Sequence, residues 1–382
     1  MSHPHKKNLS ENDEDELEEN PQTKITTPPL SELLVNIEEN KIDLIDLLEK
    51  YCKKPTTKKY NLAHSYILDL SNTLSISLSN IKQEFNQQAW QDLLKDKPKF
   101  FRNINYYREI DTILDHLFGS KDNKDTINLE EACKRWINLR SLSLPVYNSN
   151  FSYEKSDWNR VIFWVERATG YYLDAFEAEA NPILQTNCGE REWSGEYIYP
   201  IFKGAFTLNR FCRVPWGEVT SKTSQERKNS SVNVMEQQVK RGHQMDILCI
   251  AGTYEVFCGY VCGSASYTDL TKLSNDEFDL IRGLKDMLSH MINKFDSEQN
   301  LYTLGFEVVY RLHLLKRLEL PTQFSSYRQL RSVLSWAWNL RGMIRNLWYN
   351  KINIDIDVSS TLPKSNNHKM STPTTPPRAE KK

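Results

Sequence analysis

Residues 245–261 read MDILCIAGTYEVFCGYV, two short apolar runs, Met245 to Ala251 and Glu255 to Val261, divided by Gly252-Thr253. Each run is too short for a helix of ordinary length and is rich in β-branched and aromatic residues. A Gly-containing dipeptide between two such runs predicts two strands joined by a tight turn. On either side the period changes. Leu273, Phe278, Ile281, Leu284, Leu288, Met291 and Phe295 keep helical spacing downstream. Upstream, an aromatic-rich helix is expected from Asp157 to Ala180, ending near Asn181-Pro182, and another from Gly195 to Leu208. Leu304 to Leu320 is expected to form a second hairpin before Pro321, and a last helix to run from Tyr327 to Trp348. Helix, strand pair, helix, strand pair, helix is the order of a mixed α/β domain, a sheet flanked by helices.

The chain divides by composition into four parts. Residues 1–28 hold an acidic run from Glu11 to Glu19 followed by Pro21, Pro28 and Pro29, and read as a disordered tail. Residues 29–150 read as a variable helical region, residues 151–350 as the α/β domain, and residues 351–382 as a second disordered tail rich in Pro, Lys, Asn and Thr. Thr-Pro steps at Thr27, Thr372 and Thr375 are candidate proline-directed phosphorylation sites. Lys53, Lys54, Lys58 and Lys59 cluster around Pro55 as a solvated basic loop or a weak nuclear-import signal.

The 382 residues carry a net charge of -1 and have a mean hydropathy of -0.61. No global basic field draws this chain to nucleic acid, so any such contact needs a local patch. No run approaches the ~18 consecutive apolar residues of a membrane helix, and no membrane association is expected. Seven scattered cysteines without a C-x-x-C pair fit a reducing compartment, cytoplasm or nucleus. His243, Cys249, Cys258 and Cys262 match no zinc-ligand spacing, and neither a G-x-S-x-G elbow nor a phosphate-binding loop occurs.

Two carboxylates open the two central strands, Asp246 and Glu255. If register brings them together, a Mg²⁺ held by carboxylates and water is the chemistry expected; otherwise they are charged strand ends facing solvent. By alternation Cys258, Tyr260 and Cys262 share one face of the second strand, and Glu255, Phe257 and Val261 the other. On the last helix Arg328, Arg331, Arg341 and Arg345 fall within one arc with Trp338 among them. Such an arc is suited to a phosphate backbone and a stacked base, or is the ordinary border of a buried stripe.

Three stretches in order carry a resemblance: Ser194-Gly195-Glu196 leading the helix Tyr197 to Phe206, followed by Trp216-Gly217-Glu218; Gly242 and Asp246 before the Glu255 strand; and Lys272-Leu273, Lys285-Asp286-Met287-Leu288 and the region around Gly305. Residues 155–348 resemble a large family of filamentous-fungal proteins related to the PD-(D/E)XK nuclease fold. The resemblance implies a glutamate on the first helix, an aspartate on the second strand and an acid-x-Lys on the third, binding metal and activating water. Glu196 and Asp246 match the first two. The third strand lacks its lysine: Phe257 stands there if Glu255 is the acid, and Tyr260 and Cys262 replace both residues in the other alignment. A bulge at Gly259 that swings Glu255 inward, with Lys272 reaching over from the next helix, would restore the set. Three functions follow as expectations: a nucleic-acid-associated protein, on DNA or RNA, with a degenerate and inactive nuclease-like domain and no cofactor; a protein-interaction scaffold using the N-terminal helices; or a Mg²⁺-dependent nuclease with a relocated lysine.

Overall fold

The turn at Gly252-Thr253 forms as the sequence predicts. In the computed structural model, Gly252 has a φ of 61°, and a Cβ there would stand 2.8 Å from the Trp348 ring, so backbone and neighbour both require glycine. The structure describes residues 44–54, 83–85, 87–88, 90–91, 110–120, 127–142, 155–185, 187–230, 238–264, 270–295, 301–309, 311–313 and 318–352. Residues 1–28 and 353–382, and Lys58 and Lys59, lie outside them, whereas Lys351 and Ile352, read from the sequence as the start of the second tail, belong to a π-helical turn whose Ile352 is fully buried in the core.

Helix α1 covers Leu44–Cys52, α2 Asp111–Phe118, α3 Leu129–Ile137 and the long α4 Lys155–Glu177. A short α5, Glu190–Glu192, passes through a π-helical turn, Trp193–Ile198, into α6, Tyr199–Thr207. Strands β1, Cys212–Arg213, and β2, Trp216–Thr220, precede α7, Lys222–Lys228. The predicted hairpin is β3, Gln244–Ala251, and β4, Tyr254–Val261. Helix α8, Leu270–Phe295, then leads to β5, Leu304–Val309, β6, Arg311–His313, and β7, Leu318–Glu319, before α9, Gln329–Leu347. Among the described residues no helix is long and apolar enough to cross a membrane.

The fold is mixed α/β, and the described residues form one seven-stranded sheet in the order β1-β3-β4-β5-β6-β7, with β2 also paired to β3. Strands β3 and β4 are antiparallel, with Ile247 opposite Gly259 and Cys249 opposite Phe257. β5 lies parallel to β4, and α8 is the crossover such a pair requires. The expected second hairpin exists as β5 and β6, antiparallel through Glu307 and His313. Its first strand also extends the central sheet, which periodicity alone did not indicate.

Every residue of β4 is buried, because helices cover both faces of the sheet. One face presents Ile247, Cys249, Phe257 and Val261 to a core shared with α4, α6 and α9. There the Phe206 and Phe257 rings meet edge to face at 4.6 Å, and Trp164 stacks on Trp338 at 6.0 Å. The other face presents Leu248, Ile250, Cys258 and Tyr260 to Leu280 and Met287 of α8. Ile113 and Leu114 of α2 and Ala132 of α3 belong to the first core as well, so these helices of the 29–150 region are packed with the sheet domain.

Helix α9 departs from its expected amphipathic reading. Arg331 is 5 % exposed and bonded to Asp111 and Asp115 of α2 at 3.2 and 2.7 Å. Arg341, also 5 % exposed, lies over the fully buried Trp338 ring at 4.2 Å. Arg328 donates to the Ser120 carbonyl, and Arg345 stacks toward Tyr349 at 5.7 Å. The arc proposed to face phosphate is therefore mostly inside the protein, because α9 is packed nearly all round. The arginine-and-Trp338 reading of this helix is corrected accordingly.

Phe257→Ala is expected to destabilise the domain by about 3–5 kcal/mol, since the ring is fully buried between β4 and α6. Urea unfolding followed by near-UV circular dichroism measures it, and a loss under about 1 kcal/mol would mean the two layers are not packed as described.

Candidate functional site

The register of β3 against β4 slips between Cys249 and Ile250, leaving Val256 as an extra residue opposite that step. A bulge of this kind places two successive side chains on similar sides and reverses the alternation beyond it. Val256 and Phe257 accordingly both enter the large core. Glu255, paired with Ile250, lies instead on the side of Cys258, whose thiol is pushed up by burial and by the Glu255 charge. The bulge is thus at Val256 rather than Gly259, and it moves Glu255 across the sheet without bringing it to Asp246.

Glu255 is a structural carboxylate. It is 4 % exposed and receives hydrogen bonds from Ser221 Oγ at 2.7 Å, Thr223 Oγ1 at 2.7 Å and Lys222 N at 2.7 Å. It thereby satisfies the opening N–H groups of α7, a common task for an acid at a helix start. Ser221 caps the same helix through Ser224 N. A catalytic or metal role for Glu255 is corrected to this one.

Asp246 and Lys272, in contrast, lie within reach of each other's charge, together with two acids that the sequence reading passed over. Asp246 Oδ2 accepts from Val261 N at 2.8 Å, at the end of β4 where the ladder with β3 has stopped. Lys272, near the start of α8, donates to Glu190 Oε2 and to the Val261 carbonyl at 3.4 Å, and lies 3.9 Å from Asp276. Glu190 Oε2 also accepts from Gly263 N at 2.9 Å. Both polar groups of Val261 are thus taken by side chains of this cluster.

Glu196, the glutamate that the resemblance pointed to, is exposed on the π-helical turn, where its charge acts on Cys188 and Tyr197. Glu190, not Glu196, is the acid that pairs with Lys272, because the helix begins five residues earlier than Gly195. Its signal was Gly189 followed by Glu190-Arg191-Glu192, a glycine before an acidic first turn. Asp276 was legible as the i+4 partner of Lys272.

Burial raises the Asp246 carboxyl to about 6, with Glu190 and Glu218 adding to the rise and Val261 N–H and Lys272 opposing it. Burial likewise raises Asp276 to about 7, against Lys272 and with Asp246, Glu190 and Asp279. Burial pulls the Lys272 ammonium down, but Glu190, Asp276 and Asp246 together carry it above its ordinary value. Tyr260, at the strand position where an acid was sought, is held firmly as a neutral phenol by burial first and by Cys258 and the nearby aspartates. The cluster is therefore three carboxylates around one ammonium, two of them poised to take a proton near neutrality.

The donor set is oxygen-rich, as a Mg²⁺ site requires. Its arrangement does not fit one: among the described residues no group of three or more His, Cys, Asp or Glu is disposed to hold a metal ion. Lys272 supplies the positive charge between these acids instead. The considered thiolate set is equally dispersed, with His243 paired to Asp279 at 3.4 Å and Cys258 buried under α8.

Compared with protein-family models, curated proteins and solved structures, the chain matches none.

Two outcomes follow from these geometries. The folded Asp246 carboxyl lies above its unfolded value near ~3.9, so its unfavourable ionisation weakens the fold as pH rises through about 6. Asp246→Asn keeps an acceptor for Val261 N and is expected to raise stability at pH 8 by roughly 1–3 kcal/mol. No gain is expected near pH 4, and urea midpoints at the two pH values compare them. Glu255→Ala should cost about 2–4 kcal/mol at neutral pH by stranding the buried donors of Ser221, Lys222 and Thr223; an unchanged midpoint would remove Glu255 as the anchor of α7.

Proposed function

We propose that this protein is nucleic-acid-associated and that its α/β domain is nuclease-like, of the PD-(D/E)XK kind, without the cleavage step. The order of parts supports the kinship: an acid at the head of a helix, Glu190, an aspartate on the second of three successive strands β2, β3 and β4, and a lysine on the helix that follows. One observation carries the loss of catalysis. Asp246 and Lys272 are both committed to the end of β4, binding the N–H and C=O of Val261, while Lys272 neutralises Glu190 and Asp276. Groups engaged in closing a buried strand are not arranged around a metal-bound water, and Tyr260 and Cys262 on that strand supply neither acid nor lysine.

The closeness of Lys272 to Asp246 favours a second reading, a nuclease with its lysine relocated to α8. Incubating the purified full-length chain with single- and double-stranded DNA and RNA, in Mg²⁺ or Mn²⁺, separates the two. No cleavage is expected. Cleavage that disappears in both Asp246→Ala and Lys272→Ala would establish the relocated-lysine enzyme, and failure to bind any of these nucleic acids at low salt would favour the interaction scaffold.

A further inference from the structure

Next to the carboxylate–lysine cluster, β2 carries an aromatic ring that the core does not use. Trp216 is 50 % exposed, although tryptophan is among the most buried residue types on average. The backbone after it is unusual: Gly217 has a φ of 75° and Glu218, a non-glycine residue, a φ of 32°. The register of β2 on β3 shifts over this same stretch, between Trp216 and Val219. The irregularity accompanies a ring held at the rim rather than folded into the sheet.

The ring is seated, not loose. A Cβ on Gly195 would stand 2.8 Å from Trp216 Cζ2, so the glycine makes room for its edge. Tyr199 lies beside it, ring centroids 5.7 Å apart, and is itself fixed by its hydroxyl donating to the Val214 carbonyl at 2.8 Å. Lys203 stands over the Tyr199 ring at 5.0 Å. Arg191, 85 % exposed, binds Glu218 at 2.9 Å and follows Glu190 in the chain. The Glu218 charge also reaches Asp246, so this surface adjoins the cluster.

We infer that Trp216 and Tyr199 form a stacking platform for an unpaired base of single-stranded nucleic acid, with Lys203 and Arg191 beside the phosphates. The inference rests on the nucleic-acid reading above and names its contact surface. A preorganised, half-open indole flanked by cations suits a base and its backbone, because every base offers a π-face and the strand supplies the anion. A duplex hides those faces. A protein hot spot would set the tryptophan in an apolar ring that excludes water; here the border is Arg191, Glu218 and Lys203. Two cations among acids give only a modest field, so stacking leads the affinity. The salt dependence is correspondingly shallow, about −0.7 in log–log slope for each phosphate met on a single strand.

Fluorescence anisotropy of a labelled oligothymidine, its RNA counterpart and a duplex of equal length, with the full chain at low salt, tests this. Wild type should bind the single strands more tightly than the duplex. Trp216→Ala should weaken single-strand binding about ten-fold, and Trp216→Phe should restore most of it. The buried half of the ring packs on Gly195 and Tyr199, so Trp216→Ala should lower the unfolding midpoint modestly, and binding is compared at a temperature where circular dichroism shows both chains folded. Equal binding by wild type and Trp216→Ala, or preference for the duplex, would overturn the platform while leaving nucleic-acid association standing. No binding by wild type to any of the three would overturn both.

Discussion

The architecture depends on one constraint: β4 is buried along its whole length, so each of its peptide groups needs a partner inside the protein. β3 serves one edge and β5 the other, which fixes the hairpin on one side and the α8 crossover on the other. Where the ladder with β3 ends, side chains take over. Asp246 accepts the Val261 N–H, and Lys272 donates to its carbonyl. The polar cluster that chemistry would single out is thus also the cap of the central strand.

That double role explains the electrostatics. Three acids near the end of a buried strand are tolerable only if charge is compensated or protons are retained. Lys272 provides compensation, and Asp246 and Asp276 hold protons to unusually high pH. Perturbed carboxyls in a group are often a sign of function, but strand closure accounts for these on physical grounds. On this view the cluster needs no metal to account for its charges, and among the described residues no metal-holding arrangement is found.

A similar economy governs the other charges. Glu255 anchors α7 beneath the sheet, and Arg331 ties α9 to α2 through Asp111 and Asp115. Both are buried ions with bonded partners, the condition under which charged groups enter an interior at all. At the surface beside the cluster a kinked β2 holds the Trp216 ring, bordered by the Arg191–Glu218 ion pair and by Lys203.

By itself the sequence determined the helices around the sheet, the Gly252 turn and the two strands it joins, because periodicity and turn chemistry are local properties. It also placed Asp246 and Lys272 among the residues worth watching. Tertiary structure decided the rest. The bulge at Val256 sends Glu255 to the opposite face, and no pattern within seventeen residues announces a one-residue slip against a neighbouring strand. The arginines of α9 formed a clean arc on a helical projection, yet a projection shows only angles and not what packs outside them; α2 and the aromatic core close over that arc. Glu190 rather than Glu196 reaches Lys272, since the helix starts earlier than its apolar spacing implied and a π-helical turn intervenes. Side-chain convergence is a three-dimensional relation among segments eighty residues apart, and only packing the layers together sets it.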